Sequence, residues 1–219
     1  MRSLLLVLLL LPVGVHAQNL FDTKGRAGKL ETTFGLIHQN GAYLSNGQDA
    51  YLDINDDQGF MFSLGYNYNS HLTFLMDVDS VRSSYRGQAV SDDSNDLINY
   101  RGKITTSRFM FGANYNFFDG AVTPYVGARG GWRYIDTNIP DGTYYTGCYW
   151  DYLWGYICNT YANTYSESDF GYTLTAGLRW DFNSRWFLRV GGAKDYFNSN
   201  VDGDEANFTV YRFEFGMIL

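Results

Sequence analysis

The sequence predicts an all-β fold, an eight-stranded antiparallel transmembrane up-and-down β-barrel, on three observations. Apolar and polar residues alternate with a period of two in about eight separate stretches. Beyond the N-terminus, no stretch approaches the roughly 18 to 20 consecutive apolar residues that a spanning helix needs. The connections between the alternating stretches are short and long in turn. A period of two marks an extended strand with chemically opposite faces, and a closed set of such strands is one of the two ways a chain crosses a bilayer.

Each strand shows an apolar face. The first, over 29–39, carries Leu30, Phe34 and Leu36, and the second, over 58–68, carries Phe60, Phe62, Leu64, Tyr66 and Tyr68. The third, over 71–82, has Leu72, Phe74, Met76 and Val78; the fourth, over 103–117, has Phe109, Phe111, Ala113, Tyr115 and Phe117. The fifth spans 122–134 with Val126, Ala128, Trp132 and Tyr134, and the sixth spans 170–181 with Tyr172, Leu174, Ala176, Leu178 and Trp180. The seventh, over 185–195, shows Trp186, Leu188 and Val190. The last sets Tyr211, Phe213, Phe215, Met217 and Leu219 against Arg212, Glu214, Gly216 and Ile218. Tight turns are expected at 67–70, 118–121 and 182–184, where Asn, Asp, Gly and Ser gather. Long loops are expected near 40–57, 83–102, 135–169 and 196–207. With an exported N-terminus in the periplasm, the long loops face outward.

Alternation alone does not say which face is inside, because a water-soluble barrel would turn its apolar face inward. Three features point the other way. The polar faces carry small residues suited to a narrow interior, among them Gly35, Gly65, Gly112, Gly177 and Gly216. They also carry charges of both signs that can pair: Glu31, Asp77, Arg108, Arg129, Arg133, Arg179, Arg189, Arg212 and Glu214, with Lys29 and Asp79 beside them. Aromatic residues cluster at strand ends, as membrane-interface girdles require.

The ends and the composition agree with export. Arg2, the apolar run 4–11 and the small residues of Val15-His16-Ala17 read as a signal peptide over 1–17, followed by a short periplasmic segment over 18–27 and the barrel over 28–219. Removing Arg2 leaves 15 basic against 23 acidic side chains, a net charge of −8 for the mature chain. That balance excludes a nucleic-acid partner, which would want a basic stripe. Aromatics form 18% of the chain, with 19 Tyr and 16 Phe, beside 24 Gly and only 3 Pro, a balance that favours sheet.

The stretches 107–117 (SRFMFGANYNF) and 123–131 (TPYVGARGG), with the aromatic terminal strand, resemble the small eight-stranded outer-membrane β-barrel family, the OmpA/OmpX/OmpW-like porin-family proteins. The resemblance covers nearly all of the mature chain. It implies an integral protein of the bacterial outer membrane whose partners are outer-membrane lipids, lipopolysaccharide and the barrel insertion machinery. The family usually ends in an aromatic residue read by that machinery, whereas Leu219 ends this chain.

Recognition chemistry concentrates in the loop 135–169. Cys148 and Cys158, the two cysteines of an exported chain, read as a disulfide. Tyr149, Trp150, Tyr152, Trp154 and Tyr156 lie between them, with Tyr144, Tyr145, Tyr161 and Tyr165 around them. Such rings pack on each other as a plug or lie at the lipopolysaccharide boundary, or else they form a rigid binding knob for an unknown surface ligand: a partner, a glycan or an apolar solute. The acidic run 53–57 starts like a calcium loop, but Gln58 stands where the turn glycine belongs and Leu64 where the bidentate Glu belongs, so no metal site is expected. No cofactor and no catalytic residue are expected. A His38, Asp79 and Ser80 set at the outer rim is the basis for a lipid A-modifying enzyme, the least favoured reading. The expected role is structural or surface-interacting, carried by the loops. The alternative is a narrow channel for small or hydrophobic solutes.

Overall fold

The computed structural model describes residues 25–45, 51–90, 97–153, 155–197 and 208–219. The expected signal segment lies outside them, as does Trp154. The described residues form ten strands: β1 (Leu30–Gln39), β2 (Ala42–Ser45), β3 (Tyr51–Ile54), β4 (Asp57–Asn67), β5 (Leu72–Val90), β6 (Leu97–Asn116), β7 (Val122–Asp151), β8 (Gly155–Asp181), β9 (Trp186–Phe197) and β10 (Thr209–Ile218). Eight of them, all but β2 and β3, pair in sequence and close when β1 pairs antiparallel with β10, from Glu31↔Ile218 to Gln39↔Val210. The result is a closed up-and-down barrel.

Its faces follow the alternation. On β10, Phe213 is 49% exposed and its neighbour Arg212 only 2%. The apolar rows look outward and the charges look in, the arrangement of a wall bathed in hydrocarbon. Two aromatic belts bound this wall. Trp180 packs edge-on against Phe182 near the short turns, and Trp132 against Phe170 near the other rim. Ten residues of β8 separate Phe170 from Trp180, roughly 33 Å along a strand. At a tilt of about 40° the belts stand about 25 Å apart, the height of an outer-membrane apolar band.

Two of the three short turns are built by asparagine, and at the third the Phe118 N–H donates to Thr123 Oγ1 at 2.9 Å. Asn69 Oδ1 accepts from the backbone N–H of His71 and Leu72 (2.8 and 2.7 Å), and Asn183 Oδ1 accepts from Arg185 and Trp186 (2.8 and 3.0 Å). Each side chain thereby completes a turn the backbone alone leaves unsatisfied.

At the opposite rim the long connections differ from the loops expected. Most of 83–102 and 135–169 is strand. β5 and β6 stay paired to Val90↔Leu97, and β7 and β8 to Asp151↔Gly155. Apolar alternation does not reveal these extensions: the buried positions of the β5 extension, Ser83, Tyr85 and Gly87, are polar or small, and no described side chain of the ribbon between 134 and 168 is buried. The 40–57 connection likewise holds the β2–β3 hairpin, which pairs through β3 with the β5 extension. In the β7–β8 ribbon, β7 advances four residues while β8 advances two, between Asp136 and Pro140 and again between Pro140 and Tyr144. These bulges absorb Pro140, which cannot donate to a ladder.

Candidate functional site

Three regions carry the chemistry: the barrel interior, its two mouths and the ribbon tip. Inside, among the described residues, seven arginines (Arg26, Arg108, Arg129, Arg133, Arg179, Arg189, Arg212) and seven carboxylates (Glu31, Asp77, Asp79, Asp169, Asp181, Asp195, Glu214) are buried. They cancel. They also connect into alternating chains. In the first, Arg26 donates to Asp181, Arg179 to Asp181 and Glu31, and Arg189 to Glu31 and Glu214, each at 2.8 Å. In the second, Asp77 lies between Arg129 (2.5 Å) and Arg212 (3.1 Å), Asp79 lies between Arg212 (3.8 Å) and Arg108 (2.6 Å), and Arg108 reaches on to Asp195. Arg133 and Asp169 form a separate pair at 2.8 Å, with the guanidinium 4.4 Å over the Phe197 ring.

Glycines make room for these long side chains. A Cβ at Gly112 would run into the Ala128 carbonyl oxygen beside Arg129, and one at Gly191 would stand 2.5 Å from the Tyr125 hydroxyl. Large side chains inside a barrel this narrow demand bare backbone opposite them.

Both mouths are obstructed. Arg26, upstream of β1, reaches under the barrel and donates to Ser70 O (2.8 Å) and Phe118 O (3.0 Å) as well as Asp181. It ties two short turns and β8 to the N-terminal segment. At the outer end, Ile37, Met61, Val81, Ala193, Val210 and Phe208 form a buried apolar cluster with Ile54 of the β2–β3 hairpin and Tyr85. A groove of about 360 Å³ opens on the outer wall instead, bordered by Leu36, His38, Gln58, Val190, Tyr211 and Phe213.

The His38, Asp79 and Ser80 set is not assembled. His38 faces outward, stacked on Tyr211 and 3.9 Å from Asp56, while Asp79 is buried against Arg108 and Ser80 contacts Ser107 at 3.2 Å.

The ribbon tip is pinned by its cystine. Cys148 and Cys158 are directly opposite in register, their Cα atoms 4.0 Å apart, and are joined by a disulfide. Trp150 pairs with Tyr156 and Tyr149 with Ile157 beyond it, and Gly155 turns the chain with φ +77°. Trp150 is 74% exposed, Tyr156 68% and Tyr152, at the apex, 96%. Below the cystine, Thr146 and Thr160 meet at 3.2 Å across the strands.

The model of the outer membrane protein beta-barrel domain matches residues 3–216. The chain belongs to the outer-membrane β-barrel domain family. It is therefore an integral protein of the bacterial outer membrane, its aromatic belts set at the two lipid–water boundaries. No curated protein sequence matches it. Among solved structures it is similar to Neisserial surface protein A, with 14% identity over 86% of this chain and 96% of that one (TM-score 0.55). It is also similar to OprG from Pseudomonas aeruginosa, with 9% identity over 90% and 98% (TM-score 0.54). A third is Ail of Yersinia pestis in complex with the heparin analogue sucrose octasulfate, with 13% identity over 88% and 99% (TM-score 0.50). At these identities the likeness is one of fold.

Sequence reasoning missed Arg26, Asp169, Asp181 and Asp195. Asp169, Asp181 and Asp195 stand at the ends of the stretches it assigned to strands or just outside them. Arg26 lies outside any strand, and only its isolation ahead of β1 between Gly25 and Gly28 marks it.

Proposed function

We propose that this barrel is a non-enzymatic surface-recognition protein, anchored by its wall and binding through the cystine-pinned tip of the β7–β8 ribbon. The observation that carries the reading is the exposure of Trp150, Tyr152 and Tyr156 on a tip whose backbone is fixed by the Cys148–Cys158 disulfide. Large rings in water are costly to leave uncovered, and Tyr and Trp give contact area at low entropy cost on a rigid support. The tip also stands clear of the membrane. Eleven residues of β8 run from Glu167, near the outer belt, to Tyr156, roughly 36 Å along the ribbon. A neutral, packed interior with both mouths obstructed supports recognition over solute conduction.

The test removes residues 148–158 and compares adhesion of expressing bacteria to cultured animal cells. Adhesion is expected to fall to the level of non-expressing cells while the protein keeps its heat-modifiable gel mobility, the mark of a folded barrel. Undiminished adhesion defeats the reading. Planar-bilayer recordings of the purified protein are expected to show no steady conductance.

A further inference from the structure

The charge of the ribbon narrows what its tip can meet. Between residues 134 and 178 the chain has no Lys or Arg, whereas Asp136, Asp141, Asp151, Glu167 and Asp169 all fall in this stretch. Two of these have partners below the tip: Asp169 holds Arg133, and Asp136 accepts from Thr164 at 2.6 Å. The remaining charge is uncompensated by any cation of the ribbon. On the ribbon itself a sulfated glycan or an anionic lipid surface would find no cation to pair with.

The rings favour one kind of cation. The faces of Trp and Tyr carry a negative quadrupole that attracts quaternary ammonium groups, Trp most strongly. Such a group has no N–H to donate, so it loses little when rings replace water. Trp150 and Tyr156 stand side by side across the ribbon with Tyr152 beyond them at the apex. Trp and Tyr are also the side chains that settle at a bilayer's headgroup boundary. One surface unites these preferences. A phosphatidylcholine bilayer presents trimethylammonium groups outermost, carries no net charge, and offers an interface in which aromatic rings rest.

We propose that the ribbon tip docks on the choline headgroups of an apposed phospholipid membrane, with Trp150, Tyr152 and Tyr156 as the contacting rings. The barrel's own bilayer is out of reach, since the ribbon carries the tip away from it. This rests on the recognition reading above and names the partner of the same site.

The experiment uses the full chain refolded in phosphatidylglycerol nanodiscs, which contain no choline, immobilised and exposed to vesicles. Phosphatidylcholine vesicles should be captured. Vesicles of phosphatidylethanolamine, which match the zwitterion but lack the methyl groups, and of phosphatidylglycerol should be captured at least 10-fold less. Trp150→Ala/Tyr152→Ala/Tyr156→Ala should reduce phosphatidylcholine capture at least 10-fold, and free phosphocholine should compete. The ring-preserving Trp150→Phe/Tyr156→Phe should keep most of the capture. Heat-modifiable mobility and an intact disulfide certify the fold of each variant. Equal capture of choline and ethanolamine vesicles, or capture unchanged by the triple variant, overturns the proposal. If no vesicle binds yet the triple variant still lowers bacterial adhesion to cells, the choline assignment falls and the recognition reading stands. If adhesion is also unchanged, both fall.

Discussion

The barrel wall and the ribbon tip are made from the same two strands, β7 and β8, yet they use aromatic residues in opposite ways. Near the rim, Trp132 and Phe170 pair across the strands at 5.5 Å and face outward, while Arg129, Arg133 and Arg179 of the same strands are buried. There the rings are covered by lipid and the charges by each other. Past Ile135 the pattern continues without either cover. Trp150 and Tyr156 also pair across the strands and remain largely exposed. In the wall, lipid covers the rings. At the tip the proposed recognition would supply the cover, and this contrast separates anchoring from the proposed recognition within one hairpin.

The contrast breaks most sharply at Glu31. Its two carboxylate oxygens accept from Arg179 and Arg189, all three side chains being buried. Glu31→Ala leaves two guanidinium groups short of a counter-charge, and removing one partner of a buried ion pair costs about 3–5 kcal/mol. Urea unfolding of the refolded barrel should show that loss. Deletion of residues 148–158 should leave the urea midpoint of the barrel where it was. A barrel destabilised as much by the tip deletion as by Glu31→Ala would mean that the ribbon belongs to the wall energetically.

Next comes the staple itself. Cys148→Ser/Cys158→Ser opens a closed loop with a sequence separation of 10, worth about 3 kcal/mol in the chain-entropy model. The loss is confined to the ribbon. Limited proteolysis should nick the variant between 140 and 165 much faster than the oxidised protein, at an unchanged barrel midpoint. Equal nicking rates would show that cross-strand pairing alone holds the tip.

Arg26 tests the opposite end. Its guanidinium makes three bonds that span the N-terminal segment, two turns and β8. Hydrogen bonds to charged groups contribute about 1.5–3 kcal/mol each at most, and the group is partly able to rehydrate at the mouth. Arg26→Ala should therefore cost about 2 kcal/mol. It should also raise amide exchange at Ser70–Leu72 and at Phe118 without affecting the tip. Unchanged exchange there would show that the turns do not depend on the clamp.

The way these regions differ also explains what sequence could reveal. Strand direction on β10 is legible because lipid on one side and a narrow interior on the other force a strict period of two, so Phe213 and Arg212 must part. Which charges meet is a separate matter. Arg179 and Glu31 are 148 residues apart, and Arg108 and Asp195 are 87 apart. Closure, not local pattern, sets those distances. Asp181 ends β8 and Asp195 is third from the end of β9, so few strand residues beyond them show which face they share. The ribbon is hidden for the converse reason. Between 134 and 155 no described side chain is buried, so no face is sorted, and the stretch looks like a loop although it is strand as far as Asp151. The β2–β3 hairpin, four residues to a strand, is below the length at which alternation means anything.

The smallest effect is the most direct probe of the tip. If Trp150 and Tyr156 pack on each other, a double-mutant cycle between Trp150→Ala and Tyr156→Ala should give a coupling of about 0.5–1 kcal/mol, the range of aromatic cross-strand pairs. Thermal melting of the ribbon, followed by near-ultraviolet circular dichroism in the oxidised protein, measures it. A coupling of that size means the rings are pre-set before any partner arrives, and binding then spends little entropy on ordering them. A coupling near zero means each ring moves independently on a rigid backbone. Contact with a partner would then have to order them, and affinity would depend more on how many rings engage than on their arrangement. The Thr146–Thr160 pair just below the cystine sets the scale. It lies on the same ribbon and shares the same staple, but it lacks rings, so a cycle there isolates what the backbone alone contributes.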